Sequence, residues 1–148
     1  MEPAHQLCRF RKSQEKEVVV SKFVFWTGVY NIIAGISFLF PGIVSLLGVK
    51  LPESNFWVWV VASTVIYVGI ALVLCSRKLA DRASLVYWEG ILRVAGFFLF
   101  SGFGFLGDLG ILPGILGIVD LLIGLVYLIG LPKTLHTTAA NLLLDRVA

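Results

Sequence analysis

The chain has 148 residues, room for one domain, and 58% of them are hydrophobic while only 14% are charged, against roughly 45–50% and 25% in ordinary globular proteins. So little polar material cannot cover so much apolar material in water, and four long apolar stretches separated by short polar breaks suit lipid as the solvent instead. The net charge of +3 does not point to nucleic acid, because nearly all Lys and Arg lie outside the apolar stretches, where membrane topology places them.

Residues 1–21 form a basic tail, with Glu15 and Glu17 among its cations, suited to facing lipid headgroups. The apolar run from Phe23 to Leu47 is longer than the core of a secretory signal and lacks a small-x-small cleavage site, so it is expected to stay as the first span, about residues 22–40. Pro41-Gly42 interrupts it. A short apolar piece, residues 43–49, is too short to cross and is expected as an interfacial helix on the outer side. After an external loop at 50–55 comes a second span, about 56–75, entered through Trp57 and Trp59 at headgroup depth. The connection at 76–83 holds Arg77, Lys78, Asp81 and Arg82. A third span, about 84–106, and a fourth, about 109–131, are joined by a turn at Gly107-Asp108. Residues 132–148 form a second tail, with a short surface helix around Leu142, Leu143, Leu144 and Val147, capped near Thr137 or Thr138. The 22–131 segment is therefore expected to be an all-α bundle of four transmembrane helices.

Basic residues fix the expected orientation. The two tails and the middle connection hold ten (Arg9, Arg11, Lys12, Lys16, Lys22, Arg77, Lys78, Arg82, Lys133 and Arg146), and the opposite face holds Lys50 alone. Both termini are thus expected in the cytoplasm. Cys8 and Cys75 fall on that side and read as free thiols rather than a disulfide or metal framework.

Set against itself at an offset of 62, the chain pairs Trp26-Thr27-Gly28 with Trp88-Glu89-Gly90 and Asn31 with Arg93, which suggests two duplicated helix pairs. Small residues recur every seven positions: Gly28, Gly35 and Gly42 in the first span, Ala62, Gly69 and Ser76 in the second, Gly110, Gly117 and Gly124 in the fourth. Each set lies on one helix face and predicts close backbone packing, with grooves able to receive other helices. The third span keeps Gly90 and Gly104 but places Phe97 between them.

Asn31, Arg93 and Asp120 each stand three residues past a seam glycine, so they should converge inside the bundle, and Glu89 precedes Arg93 at i, i+4 in the order that favours an ion pair. An unpaired Arg or Asp at helix centre costs about 2.5–3.5 kcal/mol on insertion scales, which predicts mutual pairing. Tyr30, Tyr67, Trp88 and Tyr127 are candidate lining residues. Two readings of the cluster stand: a proton-relay or ligand site, or a buried lock fixing helix register. No nucleophile–base pair accompanies it, since His5 and His136 are in the tails, and an Arg among the carboxylates disfavours a metal. No cofactor motif is visible either.

From Gly28 to Pro52 the chain reads Gly-x-Tyr-Asn, Gly35, Phe40-Pro41, Leu47-Gly48 and Pro52. This resembles small bacterial four-span membrane proteins of the broadly DoxX-like kind. The resemblance implies a bacterial cytoplasmic-membrane protein of about this size and no particular activity; Glu89 and Arg93 depart from its pattern. With no catalytic set, the leading expectation is a non-enzymatic accessory or assembly subunit of a membrane complex, in contact with lipids and with other helices or its own copies. The alternative is a binder or carrier of a small lipophilic or anionic ligand held by the Arg/carboxylate cluster.

Overall fold

The structure is a computed structural model that describes residues 3–46 and 48–146, with side chains from Gln14 onward. Cys8, Arg9, Arg11 and Lys12 therefore have no described side chain, and Leu47 and Val147 lie outside the described residues. Six α-helices follow in order: α1 (Pro3–Phe38), α2 (Pro41–Leu46), α3 (Asn55–Ser76), α4 (Ala83–Ser101), α5 (Ile111–Thr134) and α6 (Ala139–Leu143). A single 3₁₀ turn, Ala80–Arg82, leads into α4, and a π turn, Gly102–Leu106, continues it.

Four segments are long and apolar enough to cross a membrane: Gln14–Phe38, Asn55–Ser76, Ala80–Leu106 and Ile111–Thr134. No more than a third of the residues in any of them is buried, and most of the outward face is Leu, Ile, Val and Phe. Such a surface is tolerable only where hydrocarbon meets it. The chain is an all-α, four-helix membrane protein, with no strand among the described residues.

Local sequence explains the breaks. Pro41 has no N–H to donate and a ring that suits a first helical turn, so α1 unwinds at Leu39-Phe40 and α2 starts at the proline. Pro113 sits in the first turn of α5, where its missing N–H has no partner to lose. Gln14, Glu15, Lys16 and Glu17 are good helix formers and residues 14–21 hold no Gly or Pro, so α1 runs through the region whose charge suggests a solvated tail. At the other end of the molecule Thr138 caps α6 by accepting from the Asn141 N–H at 3.2 Å.

The bundle is two antiparallel pairs, α1 with α3 and α4 with α5. Each closes on a glycine pair. A methyl group on Gly28 would come within 2.8 Å of the Gly69 carbonyl oxygen, and one on Gly69 within 2.7 Å of that of Gly28. One turn pair further along, Gly35 meets Ala62, whose carbonyl would be 2.9 Å from such a methyl. In the second pair a methyl group on Gly124 would come within 2.9 Å of the Gly90 carbonyl oxygen, and one on Gly117 within 2.6 Å of Ser101 Oγ. A methyl group on Gly42, the last of the first heptad set, would meet nothing within 4 Å, because α1 has already ended.

Where the pairs meet, the apolar core lies toward the basic end: Val24 on α1, Leu72 and Cys75 on α3, Val86 and Tyr87 on α4, Tyr127 and Leu131 on α5, roofed by Leu142 of α6. At the opposite end the two loops touch. The Lys50 N–H donates to the Leu109 carbonyl at 3.1 Å, and the Gly48 carbonyl presses on Gly110, whose φ of 98° favours glycine.

Candidate functional site

Arg93 stands at the midpoint of the Ala80–Leu106 span and is only 5% exposed, so its charge must be answered by protein. Three elements answer it. From α5, Asp120 Oδ1 accepts from Nη1 at 2.5 Å; from α1, Asn31 Oδ1 accepts from Nη2 at 2.9 Å; and from one turn back on α4, Glu89 Oε1 lies 2.6 Å from Nε. The last contact is an ion pair without a directed hydrogen bond, since the Nε–H does not point along it. Glu89 Oε2 is buried with no hydrogen-bond partner among the described residues. Two carboxylates flank one guanidinium, and Asp120, 21% exposed, is the member closest to the bundle surface, beside Gly96 and Phe100.

All four residues expected to converge, Asn31, Glu89, Arg93 and Asp120, are brought together. The bond between Asn31 and Arg93 joins the two positions matched at an offset of 62.

The proposed lining divides. Tyr127 is fully buried, and its hydroxyl is hydrogen-bonded to that of Thr27, which ties α5 to α1 one turn from the cluster. Tyr30 is half-buried within electrostatic reach of Asp120 and Arg93. Tyr67, by contrast, is 73% exposed on the outside of α3, and Trp88 lies outside too, its indole N–H donating to the Leu143 carbonyl at 3.2 Å. Neither lines the cluster, and α3 contributes no residue to it. Thr27 was not among the expected residues, although it precedes Asn31 by four positions on the same face.

Chemically, the cluster can hold charge and fix three helices; it contains no Ser, Cys, His or Lys. Among the described residues no group of three or more His, Cys, Asp or Glu could hold a metal ion. Comparison of the chain with protein-family models, with curated proteins and with solved structures finds no match.

Proposed function

We propose that the chain is a non-enzymatic, multi-pass protein of the bacterial cytoplasmic membrane that acts by helix packing, as an accessory or assembly subunit of a membrane complex. The carrying observation is the outer face of α3. Ser63, Thr64 and Tyr67 are all exposed there, close to the middle of the helix. The Thr64 hydroxyl donates to the Val60 carbonyl at 2.9 Å, whereas those of Ser63 and Tyr67 have no partner among the described residues. Hydrocarbon offers none either, so a neighbouring helix with a polar group at that depth is the fitting cover. The seam glycines do not serve this purpose, because Gly28, Gly35, Gly69, Gly117 and Gly124 are taken up by contacts within the chain.

The alternative, a carrier of a small lipophilic or anionic ligand, is less favoured because each nitrogen of Arg93 already faces a side chain of its own protein. Cytoplasmic termini rest on the ten-to-one distribution of basic residues, and the DoxX-like kinship on residues 28–52.

A photo-crosslinking amino acid at position 67, irradiated in native membranes, is expected to give one discrete protein adduct, while the same probe at Leu92, on the exposed side of α4, gives none. Labelling of lipid alone at position 67, with the protein monomeric in several mild detergents, would overturn the reading.

A further inference from the structure

We infer that the basic end of the bundle carries a phosphate-binding site, in a cleft of about 580 Å³ between α1 and the connection from α3 to α4. Its cations are Lys22 from α1 and Arg77 and Lys78 from the connection. All three are exposed, and among the described residues none forms an ion pair. That sets them apart from the chain's committed cations: Lys50 faces Asp108, Arg93 faces Glu89 and Asp120, and Arg82 donates to the Leu74 carbonyl at 2.8 Å.

Glu17 and Asp81 line the same cleft without reaching the cations. Three cations against two carboxylates leave one positive charge, matching the single negative charge of a phosphodiester. The floor is fixed, because Ser21 Oγ donates to the Ser76 carbonyl at 2.6 Å and locks α1 to α3 beneath the opening. Depth points to the bilayer surface. Trp26, one turn deeper on α1, is exposed on the outside of the bundle, where an indole marks the membrane interface, and headgroup phosphates lie just beyond such a girdle. Arg77 supplies a planar fork for phosphate oxygens, and the two lysines supply point charges beside it. Basic pockets at the ends of membrane helices suit anionic headgroups for these reasons. The ligand is a phosphate group, carried by an anionic phospholipid or free in solution.

The test uses the full chain in phosphatidylcholine nanodiscs doped with spin-labelled phosphatidylglycerol or spin-labelled phosphatidylcholine. The motionally restricted fraction is expected to be severalfold larger for phosphatidylglycerol. The K22Q/R77Q/K78Q variant should lose that preference, whereas K133Q/R146Q, which removes cations of the same end outside the cleft, should keep it. Inorganic phosphate added at constant ionic strength separates the sources: displacement of the restricted lipid by phosphate and not by chloride assigns a free-phosphate site, and no displacement assigns the headgroup. Absence of a preference in the unaltered protein, its survival in the triple variant, or equal loss in both variants overturns the inference. Should the triple variant fail to fold, R77Q and K78Q singly carry the test, and an unchanged preference in both has the same force.

Discussion

Arg93 answers to three helices at once through its contacts with Glu89, Asp120 and Asn31, and the consequences of removing it differ from those of removing a partner. Arg93→Leu leaves two carboxylates buried without their cation and is expected to cost about 3–5 kcal/mol, read as a large fall in thermal stability in mild detergent. Asn31→Leu removes one neutral acceptor and is expected to cost only about 1 kcal/mol, as interhelical hydrogen bonds in membranes do. Near-equal losses for the two variants would show that the guanidinium is not the organising group. The sequence made the cluster legible through one rule: Asn31, Arg93, Asp120 and also Tyr127 each stand three residues past a glycine that lies in a helix contact. Tyr67 and Trp88 were misplaced for the complementary reason. Each is two residues before a contact glycine, Gly69 or Gly90, and two steps of about 100° turn a side chain to the far side of the helix.

Among the elements, the close crossings of α1 with α3 and of α4 with α5 depend on the absence of a side chain. Gly28→Val and Gly124→Val would drive a branched side chain into backbone carbonyls and are expected to cost about 1–3 kcal/mol or more each, or to splay the pair. Gly42→Ala, with open space around it, should leave the unfolding temperature unchanged, so a comparable loss there would sink the packing argument. Heptad spacing revealed these crossings because it measures helix faces, but it is blind to where a helix stops; hence Gly42 looked like a seam member although Pro41 had ended α1. Hydropathy has the converse weakness. It located the first span by the onset of apolar residues, yet a helix continues for as long as backbone propensity allows, here back to Pro3.

For the whole molecule, the count of four spans was legible because lipid imposes an unbroken apolar run of fixed length on each crossing. Which helix packs on which was not, since every span is apolar around most of its circumference and only the repeated glycine hinted at the pairs. Topology gives a direct check. In a Cys8→Ser background, with Cys75 buried, cysteines placed at Lys50 and Lys78 are expected to react with a membrane-impermeant thiol reagent from opposite compartments, position 50 from outside. Reaction of both from one side would contradict the four-span layout.

The division of the cluster between the two pairs bears on how the chain can enter a bilayer. Glu89, Arg93 and Asp120 all belong to α4 and α5, so a preassembled helical hairpin of these two would carry both carboxyl groups through the translocon already paired with the guanidinium. Asn31, uncharged, is the member that waits on the earlier hairpin. The expensive charges need never meet lipid alone, and beside the apolar core the side-chain hydrogen bonds that dock α1 on the second hairpin come from a single amide and a pair of hydroxyls.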